Sequence, residues 1–349
     1  MKILNYLAAI IFVVLVFYLL NIGKDLLLPL VIAIALWYLI ITLGNAFARI
    51  SIASFSLPRP ICLAAAFLTF IAIIWIIVNF LSSTVDDVLE IAPVYQQNLT
   101  VRLETLSFVS ITAFEGQTFG QVFSSWIDIP TYATSIAASL TSILASGGLI
   151  MIYLGFLFLE QGNFSKKLSA LVSDPIKEQD VNKIINRIRD DIQKYISIKV
   201  FTSSLTGILS YTFLSVMDVD FAGVWGLIIF LLNFIPTVGS IIATIFPALI
   251  ALAQSDGYSL FVVVLSGIGL IQICIGNVLE PRLMGSSFNL SPIVILFNLA
   301  LWGYIWDIPG MFLCVPFLII ITIILSHFPQ TRAIAVMLSS DGRLRAKSE

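Results

Sequence analysis

Asn233-Phe-Ile-Pro-Thr-Val-Gly239 and Gly303-Tyr-Ile-Trp-Asp-Ile-Pro-Gly310 interrupt an otherwise apolar stretch from Phe221 to Leu325, and their reading decides the fold. The apolar arms around them are short. Phe221 to Leu232 is 12 residues, Ser240 to Ala253 is 14, Ile293 to Trp302 is 10 and Met311 to Ser326 is 16. A membrane-spanning helix needs about 20 residues. The arms therefore fit two pairs of half-helices, each folded back at a Pro/Gly tip, better than four ordinary spans. Irregular backbone at membrane depth survives only where protein or a water-filled cavity covers it. Short, interrupted segments in corresponding positions are the sequence pointer to a transporter's binding site.

Composition sets the frame for that reading. Of 349 residues, 59% are hydrophobic and 11% charged, against about 25% charged in soluble chains. The chain is expected to be an all-α polytopic integral membrane protein, its closest partner the lipid bilayer. Cys62, Cys274 and Cys314 lie in apolar runs without a CxxC pair, so they read as small buried hydrophobes rather than a metal or disulfide framework. His327 closes the last apolar run and reads as an interfacial residue. No phosphate-cradling GxxxxGK[ST], no GxGxxG opening a βα unit and no HExxH occurs, so no cofactor is expected and neither nucleotide-driven transport nor metalloproteolysis has support.

Outward from the two breaks, the chain divides into consecutive parts. Residues 1–81 hold three spans (Ile3 to Leu20, Leu26 to Leu43, Ile61 to Leu81), the first read as a retained helix rather than a signal peptide. Residues 82–135 form an acidic extracytoplasmic segment with apolar residues at helical spacing. Residues 136–162 carry the fourth span, and 163–199 a basic amphipathic helix at the cytoplasmic interface. Acids alternate with its bases, which argues against nucleic acid. Residues 200–327 are the expected transport core: a fifth span rich in Ser, Thr and Gly, the two hairpins, and between them a full span from Tyr258 to Gly276 followed by a polar link from Asn277 to Ser291. Residues 328–349 are a polar tail. With the N-terminus inside and both broken segments folding back, 16 of the 18 Lys and Arg residues fall on the cytoplasmic side, leaving Lys24 and Arg102 outside. Both termini are then cytoplasmic, and the hairpins open from opposite faces toward the midplane, an inverted-repeat arrangement.

At Asn233-Phe-Ile-Pro-Thr-Val-Gly239 … Pro247 and at Glu280-Pro-Arg-Leu-Met-Gly285 … Leu290-Ser-Pro292 … Gly303 … Pro309-Gly310 … Pro316, the sequence resembles the autoinducer-2 exporter family of bacterial permeases. Tyr195-Ile-Ser-Ile-Lys199 before the fifth span is similar as well. The resemblance covers the whole chain in layout and is specific over about residues 195–325. It implies a secondary transporter of the bacterial inner membrane. Members are associated with export of the quorum-sensing signal autoinducer-2, others with sodium (lithium)/proton antiport.

The residues singled out for chemistry each carry a second reading. Asp307 is an ionisable group inside a broken segment, hence a functional candidate; it could equally cap the following half-helix at a wet tip. Glu280 and Arg282 flank Pro281 and read as a gate or ion-coupling pair, or as interfacial charges in water. Asn233, Thr237 and Ser240, with Pro236 and Gly239, form tip one, where half-helix termini favour ligands but a turn needs such residues anyway. Gly303, Pro309 and Gly310 shape tip two. Asn277, Asn298 and Gln272 fit helix–helix hydrogen bonding. The expected function is a permease exporting a small polar signal or metabolite by alternating access, coupled to H⁺ or Na⁺. The alternatives are a Na⁺(Li⁺)/H⁺ antiporter and a non-transporting scaffold. No nucleophile–base pair supports an enzyme. Small residues on the fourth span allow a homo-oligomer.

Overall fold

The computed structural model describes residues 2–49, 58–105, 147–163, 175–285 and 289–343, with Thr131 and Lys167. Most of the acidic segment (Glu115 and Asp128 included), the first half of the fourth span and the end of the tail lie outside these residues. Among the described residues every element is a helix, with one isolated bridge between Leu290 and Ser339. The helices are α1 (Lys2–Ile22), α2 (Lys24–Arg49), α3 (Arg59–Thr105), α4 (147–163), α5 (Pro175–Val216), α6 (Ala222–Leu232), α7 (Val238–Gln254), α8 (Ser259–Met284), α9 (Pro292–His327) and α10 (Arg332–Leu338).

Helices are what this composition requires, because a lipid environment offers backbone N–H and C=O groups no partner outside the segment. Lys24–Ala48, Arg59–Thr84, Ser259–Met284 and Pro292–His327 are long and apolar enough to cross a membrane. Their outward faces are apolar too: Leu68, Trp75, Leu270 and Ile293 are all exposed. The chain is an all-α polytopic membrane protein. Two expected boundaries dissolve in continuous helix. The third span runs on through residue 81 as α3 to Thr105, and the basic amphipathic segment runs directly into the fifth span as α5. A third boundary is corrected. The link expected from Asn277 is helical as far as Met284, because Ile273–Leu279 is a π-helix that carries the chain on without a break. The tail, expected to be merely polar, forms α10, and Ser291 donates its N–H to Leu338 O at 3.0 Å.

The chain forms two compact units that interleave along the sequence. One comprises Met1–Ala66, Ser146–Ile198 and Met284–Glu349, the other Phe67–Ala145 and Lys199–Leu283. In the second unit α6 and α7 fold back on one another. Ile229 of α6, Ala243, Ala248 and Ala251 of α7, Val264 and Ile268 of α8 and Leu214 of α5 make one core. The far end of α3 clasps the open end of this hairpin. Tyr95 and Leu99 pack with Leu249, Ile250 and Leu252, and Asn98 donates to Ala253 O at 3.0 Å. Arg102 pairs with Asp256 at 2.9 Å, and the Tyr95 hydroxyl donates to Asp220. Burial first, then the bond to the Asp220 carboxylate, keeps that hydroxyl protonated well above the usual tyrosine range.

In the first unit α9 is itself a hairpin. Trp306 (φ −129°, ψ 20°) and Asp307 (φ 51°, ψ −141°) break its helical backbone. The arms then run antiparallel: Trp302 stacks on Phe317 with centroids 4.1 Å apart, and Asn298 donates to Cys314 O at 2.5 Å. The arms differ in length from the expected half-helices. Ile308 to His327 is 20 residues, enough to cross a bilayer, whereas α6 and α7 have 11 and 17.

Candidate translocation site

The two tips are built alike. A Cβ on Gly239 would lie 1.8 Å from Leu232 O, and one on Gly310 would lie 2.1 Å from Trp302 O. Each would also stand 3.0 Å from a side-chain Cβ four residues earlier, Ile235 or Trp306. Only glycine lets the returning arm press this closely on a carbonyl. Both tips contain a non-glycine residue at positive φ, Thr237 (61°) and Asp307 (51°). Pro236 precedes the first. Pro309 sits in the first turn of the returning arm, where its missing N–H costs nothing. In tip one Ser240 donates to Thr237 O at 2.8 Å, so its hydroxyl is used locally. Gly303 lies against Met311 across the second hairpin.

Asp307 has a counter-charge. Its carboxylate pairs with Lys24 at the start of α2, and the neighbouring Trp306 Nε1 donates to Leu20 O at 3.1 Å. Tip two is thereby moored to the turn between α1 and α2. The Asp307 side chain is 70% exposed, which suits a mooring charge better than a buried carboxylate. Its backbone strain is testable. Both Asp307→Gly and Asp307→Ala lose the ion pair, but only glycine accepts this φ without strain. The glycine variant is expected to be more stable by about 1 kcal/mol or more in thermal unfolding; equal melting would show that the tip relaxes freely.

The second unit holds the larger constellation, on one face of α5. Lys199, Thr202, Ser203, Thr206, Gly207, Ser210 and Leu214 are buried, at the spacing of a single helical stripe, and five of the seven are polar. The opposite face carries exposed Phe201, Ile208 and Leu209. The helix is inside out, as suits a helix with lipid outside and something polar within. Asn233 of tip one, itself buried, donates to Ser203 Oγ at 3.0 Å, which brings the hairpin onto the stripe. Thr206 donates to Thr202 O at 2.8 Å. Along the facing helix α8, Val264, Ile268, Gln272 and Ile275 are buried. α5 and α8 run antiparallel, since the Phe213 ring crowds Gly267 at one end and Lys199 meets Glu280 at the other. That register sets Gln272 between those two levels. Gln272 is 7% exposed, yet neither atom of its amide has a hydrogen-bond partner among the described residues; Ser210 Oγ is in the same position. A separate groove of about 420 Å³, lined mainly by apolar residues including Phe80, Ile208, Leu227 and Phe230, opens beside Gly207 and Gly226.

At the other end of the stripe Lys199 Nζ donates to both oxygens of Glu280, at 2.7 and 3.0 Å, and the Thr202 hydroxyl lies 3.2 Å from Oε2. Glu280, read with Arg282 as a gate or ion-coupling pair or as interfacial charge, thus has Lys199 as its partner. Arg282 and Pro281 are exposed, while the Lys199 and Glu280 side chains are only 7% and 14% exposed. Glu280 is aimed inward by the π-helix just before it, since a π turn takes one residue more than an α turn and so rotates all that follows. Asn298 does make a helix–helix bond, Asn277 is exposed, and of the cysteines Cys274 is exposed rather than buried. Lys199, Thr202, Thr206 and Ser210 were not among the residues expected at the site, because hydroxyl residues in a membrane helix ordinarily bond their own carbonyls.

An all-helical membrane protein with a buried polar stripe, met by a Pro/Gly-broken hairpin, is a permease in architecture. The comparisons agree. The model of the AI-2E family transporters matches residues 7–330, and the chain belongs to that family. It is 29% identical over 285 residues to the AI-2 transport protein TqsA of Escherichia coli K12, covering 81% of each chain. It is 26% identical over 290 residues to a Haemophilus influenzae protein named "Putative transport protein", covering 80% of this chain and 82% of the other. A Borreliella burgdorferi protein of the same name is 33% identical over 190 residues, or 54% and 52% of the two chains. Membership carries the coarse assignment, a membrane transport protein.

Proposed function

We propose that the chain is a secondary permease of the bacterial inner membrane that exports a small polar solute of the autoinducer-2 type by alternating access. One observation carries the reading: the buried face of α5 is polar and its exposed face apolar, with Asn233 of the hairpin tip bonded onto it. A scaffold has no use for polar groups buried at that cost. TqsA is named as an AI-2 transport protein, which supports that solute as the first to try. Transport in proteoliposomes containing purified protein, with autoinducer-2 inside or out and imposed H⁺ or Na⁺ gradients, tests it. Downhill exchange of autoinducer-2 is the expected result. Its absence in folded protein, with Na⁺ movement present, would favour the antiporter instead.

The N- and C-termini would be cytoplasmic, as the 16-to-2 division of basic residues supports. Both hairpins would enter the membrane from the side on which they end, a reading supported by their fold-back and not by the charge count, which four short crossings would share. Cysteines introduced at Glu104 and Lys183 should then react with impermeant reagents from opposite sides, Glu104 from outside. Labelling from one side would overturn the threading. Assembly as a homo-oligomer belongs to the same proposal, on the small residues of the fourth span.

A further inference from the structure

Glu280 sits where its charge is hardest to explain as scaffolding. Its carboxylate is mostly buried, held by the Lys199 ammonium at 2.7 and 3.0 Å with Thr202 Oγ at 3.2 Å. Replacing a buried ion pair with packed apolar groups is often neutral or stabilising, so such a pair is weak evidence for a stability role. Here a π-helix is also spent on aiming it, and π segments recur at functional sites. The pair closes one end of a stripe whose far part holds Ser210, and on the facing helix α8 lies Gln272; the buried polar atoms of both have no partner among the described residues. The other charged groups near this end are Lys194, which donates to Met284 O at 3.5 Å, Asp191, buried and 3.8 Å from Arg187, and exposed Arg282; the α5 stripe beyond Lys199 is uncharged.

We propose that Glu280 with Thr202 is the coupling-cation site of the permease, and that Lys199 is a tethered ammonium competing there with a monovalent cation, a proton or an alkali ion. The inference rests on the permease reading above. With the cation absent, the Lys199–Glu280 pair locks α5 to the end of α8. When Na⁺ binds the carboxylate and the Thr202 hydroxyl, or a proton converts the carboxylate to the acid, the ammonium loses its counter-charge and is released. The two helices are then free to part. The cation so acts through its different affinity for the locked and released states, the condition for any ligand to drive a conformational change.

The decisive variant is the double K199M/E280Q, which removes both charges and keeps the volumes, because removing one charge alone leaves its partner buried and unpaired. Two arms separate the cation sources: a Na⁺ gradient at symmetric pH, and a pH gradient in choline medium. In wild-type proteoliposomes one arm is expected to drive uphill movement of autoinducer-2, about tenfold accumulation for a tenfold gradient coupled one to one. The double variant should drive none. If the coupling cation is Na⁺, it should also raise the melting temperature of wild-type protein but not of the variant. Accumulation by the variant at the wild-type level, or identical melting shifts in both proteins, would show that the pair is structural. If wild-type protein exchanges autoinducer-2 downhill while neither gradient drives it, this inference falls and the permease reading stands. If folded wild-type protein does not exchange it at all, the permease reading for that solute falls first.

Discussion

Gly239→Ala is expected to leave little folded protein. The added Cβ would meet Leu232 O at 1.8 Å and Ile235 Cβ at 3.0 Å. A backbone carbonyl cannot rotate aside as a side chain can, so the arms of the hairpin must separate. Overpacking a core costs about 1–3 kcal/mol, occasionally more, and this contact belongs at or beyond the upper end. Gly310→Ala should behave alike, with Trp302 O at 2.1 Å. Gly276→Ala is the control, since nothing lies within 4 Å of a Cβ there. The measurement is the fraction of detergent-solubilised protein that stays monodisperse, with its melting temperature. Survival of both tip variants at the Gly276→Ala level would mean that the hairpins are looser than their contacts imply. Pro236→Ala should be milder for folding, because alanine can adopt a proline's φ, and its effect should appear in transport.

The hairpins were legible in the sequence for a simple reason. Pro and Gly act locally, so breaks at Pro236, Gly239, Pro309 and Gly310 announce themselves without knowledge of any partner. Arm length then made fold-back the sensible reading; the α6–α7 and α9 hairpins do fold back, although the returning arm of α9 is longer than expected and long enough to cross a bilayer. The paired construction of the tips was not legible, because it depends on which carbonyl each glycine meets. Nor was the partner of Glu280. Arg282 is its neighbour in sequence, whereas Lys199 is 81 positions away, and only an unannounced π-helix turns Glu280 toward it. Periodicity assumes 3.6 residues per turn, and a π segment breaks that assumption without altering composition. The stripe on α5 failed for another reason. Small hydroxyl residues in a membrane helix are ordinarily satisfied by their own carbonyls, as Thr206 is. Their Ser/Thr/Gly content alone did not say that they share one buried face.

Across from the stripe, on α8, Gln272 makes the sharpest claim. An amide buried among apolar groups without hydrogen bonds costs about 1–3 kcal/mol by mutational measures. Among the described residues, Gln272 Nε2 and Oε1 both stand in that position, in a side chain 7% exposed and flanked along α8 by buried Ile268 and Ile275. If the amide served packing alone, leucine or methionine would fill the site without the buried polar cost. If it lines the path of a polar solute, its unpaired donors and acceptor are what the solute meets, and its cost to folding is offset only when the solute is there. The two accounts make the same prediction for stability and opposite ones for transport. Gln272→Leu and the better volume match Gln272→Met should each raise the melting temperature, by an amount set by the lost desolvation penalty. On the transport account the same variants should lose most autoinducer-2 exchange in proteoliposomes, with at least a tenfold fall for about 1.4 kcal/mol of lost interaction. Ser210→Ala, which also removes an unpartnered buried group, should move both quantities the same way by less. Higher stability with undiminished exchange would take Gln272 off the path, leaving the Lys199 and Asn233 levels of the stripe as the place to look.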